Sequence, residues 1–188
     1  SILLFTLLVL NKFPIIMGFA PLLASFAMLV AMIGSGSPRI TPLMPVLQSP
    51  LLSVHVMVIM FSYALFALMM LIGVQGLVMH WKGDAVREES FAALSHILLY
   101  PAVFLLTVGI FVGAVWANVS WGCYWSWDPK EVWALITMFV YMAPLHSSSL
   151  KSFRKPTFFH VYCIVAFLSV LMTYFGVNFF LGGMHSYA

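Results

Sequence analysis

The sequence predicts an all-α protein, a polytopic transmembrane helix bundle of about five to six helices with an outward-facing tryptophan-rich loop. Its composition is the first reason: 63% of the 188 residues are hydrophobic and 7% are charged, whereas a soluble domain carries about 25% charged residues. Long apolar stretches are the second, because backbone polar groups in lipid must be satisfied within each segment, which favours helices. Membrane lipid is therefore the expected surrounding, and no cluster of Lys and Arg indicates nucleic acid.

Five stretches have the length that crosses a bilayer, about 17–25 residues. They are Pro14–Ile33, Leu51–Met79, Ile97–Ala117, Pro129–His146 and Thr157–Phe180. Residues 1–42 hold the leading transmembrane segments, which we expect to be truncated, because Ser1–Leu10 looks like the tail of an apolar span already under way. Residues 43–188 form the expected functional core.

Several helix boundaries carry chemical signals. Ser49-Pro50 and Asp128-Pro129 each combine a capping side chain with a proline at the first helical position. Glu131 stands at the third helical position and gives the spacing of a capping box with Asp128. Pro101 and Pro144 are expected to kink the helices that contain them.

Cationic residues are distributed unevenly between the two sides of the predicted membrane. One side holds Lys12, Lys82, Arg87, Lys151, Arg154 and Lys155, and the other holds Arg39 and Lys130. The positive-inside rule assigns the richer side to the cytoplasm. The loops at residues 35–50 and 118–128 and the terminal residues 182–188 then face outward.

The loop between the third and fourth spans is unusually aromatic. Its residues 121–128 include four large aromatic side chains, and two further tryptophans flank them: Trp116, Trp121, Tyr124, Trp125, Trp127 and Trp133. An interfacial aromatic belt accounts for one or two such residues per helix end. A platform for a flat ligand is the other interpretation, because aromatic faces offer a large, rigid, apolar area.

Two histidines on the same side favour haem as that flat ligand, because haem is planar and its iron takes axial ligands, commonly histidine. His55 lies about 8 Å below the outer end of its helix, at 1.5 Å per residue. An ionisable residue within an apolar span is expected to be functional. His185 follows the last helix, so the two side chains are positioned to approach one iron from opposite faces.

The stretch Trp121–Leu135, WGCYWSWDPKEVWAL, resembles the "WWD" signature of haem-handling proteins of cytochrome c biogenesis. The CcsA (ResC), CcmF and CcmC branches share such a loop, here residues 116–133. The resemblance is greatest to the CcsA branch, and it extends to Leu47–Val56, Ser62–Ala64 and Leu181–Tyr187. It covers about residue 43 to the carboxyl terminus.

The resemblance implies a function. A CcsA-type protein exports haem b as a transient substrate and attaches it to Cys-x-x-Cys-His motifs of apocytochrome c at the outer face. It works with a ResB/CcsB-type subunit or fused domain, so synthase activity is expected only together with that part. The membrane is expected to be the bacterial inner membrane with the haem site facing the periplasm; a thylakoid membrane is the alternative.

The resemblance also assigns residues. His55 and His185 would ligate haem at the loop, and His146 would ligate an inner haem together with the partner. The residues implied for the haem site are His55, His185, His146, Trp121, Trp125, Trp127 and Asp128. Because His146 lies about 26 Å from the outer end of its helix at 1.5 Å per residue, it requires a second site.

Other interpretations remain open. Lys130 and Asn118 are candidate contacts for haem propionates, although Lys130 in the first helical turn is equally explained by solvation, and Asp128 and Glu131 are explained as helix caps. A membrane di-haem b-type electron carrier would pair His146 with His160 or His96. We otherwise expect His80, His96 and His160 to be snorkelling or interfacial side chains.

Overall fold

The computed structural model describes residues 49–181, and for residues 178 and 179 it describes the backbone alone. These residues form four helices: α1 (Pro50–Trp81), α2 (Ala85–Trp121), α3 (Pro129–Met142) and α4 (Pro156–Leu171). Helix α4 continues as a π-helix, Met172–Leu181, and two 3-10 turns, Ala143–His146 and Lys151–Arg154, join α3 to α4. No strand occurs within residues 49–181, and the all-α prediction is confirmed.

Among the residues that the structure describes, three helical segments are long and apolar enough to cross a membrane: Pro50–Trp81, Ala85–Trp121 and Pro156–Val177. The predicted span Ile97–Ala117 lies inside α2, which begins earlier because the Asp84 side chain caps it by accepting a hydrogen bond from Arg87 N, 3.1 Å away. The predicted span Pro129–His146 coincides with α3 plus the first 3-10 turn, but the regular helix has only 14 residues and is not one of the three membrane-crossing segments. The predicted span Pro14–Ile33 lies outside the described residues.

Helices α1 and α2 form an antiparallel pair, because a short turn joins them and their contacts pair early residues of one with late residues of the other. Ser62 Oγ donates to the carbonyl of Ala102 at 2.8 Å, a bond that is fully buried. On the α3 and α4 side of the core, Phe66 stacks on Tyr141 with 3.7 Å between ring centroids. Hydrogen bonding and aromatic packing therefore both hold α1 in the centre of the described bundle.

Pro144 explains one further contact in the core. Proline has no N–H, so it cannot donate to the carbonyl of the residue four positions earlier. That residue is Val140, and its carbonyl accepts instead from the Tyr162 hydroxyl of α4 at 2.7 Å. The proline ends the regular part of α3, which continues as the 3-10 turn Ala143–His146.

The surface of the helices that points away from the core is apolar. Phe61, Phe104, Phe111 and Leu168 each expose more than half of their area, and Phe111 exposes 69%. So many exposed large apolar side chains are unusual for a protein surrounded by water. It matches the prediction that lipid surrounds the bundle.

The predicted helix starts at Pro50 and Pro129 are confirmed, each with proline at the first helical position. Asp128 and Glu131 form the predicted capping box. The expected cap at Ser49 is wrong, because its side chain makes no capping hydrogen bond. The fixed φ of Pro50 suits the first helical position without it.

Candidate functional site

A cavity of about 330 Å³ lies beside His55, lined by residues of α1, α2, α3 and the π-helix and by the loop that precedes α3. Most of its wall is apolar, and a few polar groups converge on it, as is typical of small-molecule sites. The aromatic residues that line it are Tyr63, Trp116, Tyr124, Trp125 and Tyr174. The polar or charged residues that line it are His55, Lys130, Glu131 and Thr173.

The His55 ring is held by the backbone of α2. Its Nδ1 lies 2.7 Å from the carbonyl oxygen of Gly109. A carbonyl oxygen only accepts, so Nδ1 carries the hydrogen and Nε2 is the basic nitrogen of the neutral ring. Metal-binding histidines commonly donate their second ring N–H to a backbone carbonyl or carboxylate in this way. His55 therefore has the tautomer that suits a metal ligand.

The tryptophan loop, residues 122–128, is tied to the start of α3 by one carboxylate. Helix α2 ends at Trp121 and is capped by Gly122, whose φ of 78° lies in the left-handed region that glycine tolerates best. Glu131 Oε2 then accepts from Ser126 N at 2.9 Å and from Asp128 N at 3.2 Å. Asp128 Oδ1 accepts from Lys130 N at 3.0 Å. These bonds fix the loop on both sides of Trp127.

Trp127 has a strained backbone. Its φ of 59° makes it the only non-glycine residue with positive φ in the part of the chain that the structure describes. A bulky residue in this region is an outlier, and such strain persists only where surrounding contacts impose it. Glu131 binds the amides of the residues before and after it. The result is an indole that is 70% exposed at the loop surface.

The predicted tryptophans take different positions. Trp125 lines the His55 cavity. Trp127 packs edge-on against Trp125, with 5.9 Å between centroids, and Trp121 packs edge-on against the buried Trp116, with 4.8 Å between centroids. Among the described side chains that line the cavity, neither Trp121 nor Trp127 occurs. The structure thus places His55 and Trp125 on the wall of one cavity, whereas Trp127 packs against Trp125 and Trp121 packs against Trp116.

The remaining predicted residues lie away from the cavity or outside the described range. Asp128 is buried as the cap of α3 and is not a lining residue. His146 is exposed in the 3-10 turn at the other end of α3, roughly 25–30 Å from Pro129 at the usual rises per residue. His55 and His146 therefore cannot bind the same metal ion. His185 lies outside the described residues.

Several lining residues were not predicted as haem-site residues. Tyr63 comes from α1, and Thr173 and Tyr174 come from the first turn of the π-helix. Trp116 of α2 was noted in the sequence only as a tryptophan flanking the loop. The Thr173 hydroxyl donates to Ser169 O at 2.7 Å and lies 3.0 Å from the Thr137 hydroxyl. π-helical turns occur frequently at functional sites. The only sequence signal for these lining residues was the abundance of aromatic residues near the helix ends.

The other histidines have structural partners. His160 is fully buried, donates from Nε2 to the Glu88 carbonyl at 3.1 Å, and fills the space opposite Gly76. The expectation that His160 snorkels or is interfacial is therefore wrong. His96 stacks on Phe159 with 3.9 Å between centroids. An iron at either ring would have to displace these contacts, so the geometry does not favour the di-haem arrangement.

His80 belongs to a polar cluster at the same end of the bundle. Its Nδ1 lies 2.9 Å from Glu88 Oε2, and Thr157 Oγ1 donates to Glu88 Oε1 at 2.6 Å. Within residues 49–181, no group of three or more His, Cys, Asp and Glu side chains is arranged to hold a metal ion. The cluster joins the ends of three helices and is explained as a structural contact.

Comparison with known proteins gives a consistent set of relatives. The family model described as "Cytochrome C assembly protein" matches residues 1–185. The chain is 40% identical over 157 residues to Protein NrfI of Wolinella succinogenes, covering 80% of this chain and 17% of that protein. It is 41% identical over 155 residues to cytochrome c biogenesis protein CcsA of Chlamydomonas reinhardtii, covering 78% of this chain and 43% of that protein.

A third relative, cytochrome c biogenesis protein CcsA of Gloeobacter violaceus, is 47% identical over 111 residues, covering 56% of this chain and 32% of that protein. The chain thus spans less than half the length of each of these three relatives. The alignment with the family model includes all the described residues, and with them the cavity and the tryptophan loop.

Proposed function

This chain belongs to the cytochrome c assembly protein family, and on that premise we propose that it binds haem b and presents it for covalent attachment to apocytochrome c. Haem is the substrate, held at the outer face of the membrane by His55 and His185 on the two sides of the iron. The acceptor is the Cys-x-x-Cys-His motif of the apocytochrome. A ResB/CcsB-type protein or domain supplies the rest of the machinery.

The observation that carries the proposal is the position and tautomer of His55. Its Nδ1–H is committed to the Gly109 carbonyl, and the ring lines an aromatic cavity within an apolar helix. A solvated or merely interfacial histidine needs neither the backbone contact nor the aromatic surroundings. An axial ligand to haem iron needs a fixed tautomer and flat apolar neighbours.

The cavity wall suits the two chemically different parts of haem. Trp125, Tyr63 and Tyr174 offer apolar ring surface for the porphyrin faces. Lys130 contributes the cationic group of the lining, and it is suited to a carboxylate such as a haem propionate. Trp127 extends the aromatic platform beyond the cavity, where its exposed indole is available to the bound ring or to the incoming apocytochrome.

The protein's part in the reaction is positioning. Each thiol of the acceptor motif adds across a vinyl double bond of haem, so that an S–C bond forms and the thiol hydrogen ends on the neighbouring carbon. The residues of this chain hold the ring, keep its iron coordinated and leave the vinyl edge accessible. Orientation of this kind can lower the activation free energy by up to about 7–11 kcal/mol. The acceptor's own histidine then replaces one holding histidine, which releases the product.

His146 belongs to a second step of the same proposal. It is exposed at the opposite end of α3 from the tryptophan loop, where it would ligate haem on the inner side of the membrane before transfer outward. The second ligand there would come from the ResB/CcsB-type partner. The expected location is the bacterial inner membrane with the His55 cavity facing the periplasm, and a thylakoid membrane is the alternative.

Co-expression with a reporter cytochrome c tests the function. Cells that lack their own attachment system receive the protein, its partner and a reporter with Cys-x-x-Cys-His, and covalent haem is stained on a denaturing gel. We expect haem on the reporter, and none on a matched reporter with both cysteines changed to alanine. The variant His55→Gly should lose the product, and full product from it would contradict the proposed role of His55.

A further inference from the structure

We propose that Gly109 and Gly113 are positioning residues that together form a socket on α2 for the His55 ring. The Gly109 carbonyl fixes the tautomer, and the bare α-carbon of Gly113 makes room for the ring against the helix backbone. The inference rests on the proposed role of His55 as a ligand to haem iron. Gly109 is not a lining residue of the cavity, whereas Gly113 lines it beside His55. Both are proposed to act through His55, and the double variant described below separates this effect from a direct effect of the added methyl group on the cavity.

The space at Gly113 is occupied by the imidazole edge. A Cβ atom at this position would lie 2.5 Å from His55 Cε1, 2.7 Å from Nδ1 and 3.3 Å from Nε2. The distances to Cε1 and Nδ1 are shorter than ordinary van der Waals contacts of a carbon atom. The ring is also held by the 2.7 Å bond from Nδ1 to Gly109 O, so it cannot retreat from a Cβ without giving up that bond. Any side chain at position 113 therefore forces the ring out of its place.

The second glycine brings the two helices close enough for this bond. A Cβ at Gly109 would lie 2.5 Å from Cδ1 and 2.8 Å from Cγ1 of Ile59, which is one helical turn beyond His55 on α1. Two glycines four residues apart on one helix are a common device for close helix approach in membranes. Close packing alone accounts for Gly109 against Ile59, but it does not require a histidine against Gly113 or a hydrogen bond from that histidine to the facing backbone.

The consequence for binding is a ligand that is oriented before haem arrives. Groups that orient a metal-ligating histidine typically change metal affinity by about 10- to 100-fold when they are altered. We expect Gly113→Ala to weaken haem binding by about that factor. The low-spin spectrum that two axial nitrogens give should be lost or shifted in the same variant.

The test compares four forms of the protein purified from its native membrane: wild type, His55→Gly, Gly113→Ala and the double variant. Haem is titrated into each, and optical spectra are recorded with and without imidazole. We expect Gly113→Ala to bind haem weakly. In the double variant, added imidazole should restore the spectrum, because free imidazole is not tied to α1 and can shift away from the alanine methyl group, as the His55 ring cannot.

The variant Gly73→Ala is the matched control. Its added Cβ would lie 2.9 Å from the His160 carbonyl, so it crowds α1 against α4 away from the cavity. We expect the haem spectrum of the folded Gly73→Ala protein to equal that of wild type. A loss of haem from Gly73→Ala equal to that from Gly113→Ala would overturn the inference, because general helix crowding would then explain both.

The remaining outcomes separate the two proposals. Wild-type haem affinity in Gly113→Ala, with haem lost in His55→Gly, would refute the socket and leave the His55 ligand intact. Failure of imidazole to restore the double variant, while it restores His55→Gly, would refute the socket, because alanine at 113 would then act on the cavity wall or the fold and not through the tethered His55 ring. Unchanged haem binding in His55→Gly would refute the proposed function and the socket with it.

Discussion

Replacing Glu131 with alanine removes the carboxylate that ties the tryptophan loop to α3. In the structure, Glu131 Oε2 accepts from the backbone amides of Ser126 and Asp128 at 2.9 and 3.2 Å, and the Ser126 hydroxyl lies 3.3 Å away. We expect the loop to open locally in Glu131→Ala while the helices stay folded. The tryptophan loop, which forms part of the cavity wall, would then no longer be held in one conformation.

The size of the effect follows from the bonds that are lost. A hydrogen bond to a charged group contributes about 1.5–3 kcal/mol, so two backbone bonds set a ceiling of roughly 3–6 kcal/mol. The loop is only partly buried, and the freed amides regain water, which reduces the loss to an expected 2–3 kcal/mol. Trp127 adds to the tendency to open, because leaving its positive φ relieves about 1–3 kcal/mol of strain.

Hydrogen exchange read by mass spectrometry measures this opening directly. At 1.4 kcal/mol per factor of ten, amides of residues 124–131 should exchange roughly 30- to 140-fold faster in Glu131→Ala. Glu131→Gln retains an acceptor oxygen and should show a smaller increase. Glu89→Ala, which removes an exposed carboxylate on α2, is the control. Unchanged exchange at Ser126 and Asp128 in Glu131→Ala would refute the view that this carboxylate holds the loop.

Three further predictions concern stability. Trp127→Gly should change the free energy of unfolding by less than about 1 kcal/mol, because glycine adopts a positive φ without strain and this gain offsets its greater loss of conformational entropy on folding. Haem titration of the same variant should nevertheless show weaker binding. A large loss of stability would contradict the view that the backbone at Trp127 is strained. Tyr162→Phe leaves the Val140 carbonyl without its 2.7 Å donor, so thermal unfolding should show a loss of about 1–3 kcal/mol, and an unchanged midpoint would count against it. Gly76→Ala makes a Cβ clash with the His160 ring and should lower the free energy of unfolding by about 1–3 kcal/mol. Adding His160→Ala should restore part of this loss, and no recovery would contradict a local clash.

The local features of the fold were predictable from the sequence because they depend on neighbours along the chain. The proline-marked starts of α1 and α3 and the capping box of Asp128 and Glu131 follow from a few adjacent residues. His55 stood out for a similar reason, since an ionisable side chain in an apolar span is costly without a partner. Apolar length alone located the spans in α1, α2 and α4, but it missed the polar first turns of α2, which Asp84 caps.

The features that were not predictable depend on which faces of distant helices meet. The burial of His160 requires the missing side chain of Gly76 on another helix. The cavity combines Tyr63 and Trp116 with Tyr174, and the last of these reaches it from a π-helix that has no sequence signal of its own. The tryptophan-rich composition of the loop indicated a platform, but only the backbone geometry shows that Trp125 lines the cavity while Trp127 stands exposed.

The central claim is that His55 and His185 hold one haem at the tryptophan loop. The most direct test is the optical spectrum of the protein purified from its native membrane, compared with His55→Gly and His185→Gly. We predict a low-spin haem spectrum that is lost in each variant and recovered by added imidazole. If both variants keep the wild-type spectrum, the outer site is wrong, and the histidines at the inner helix ends become the leading candidates for the haem ligands.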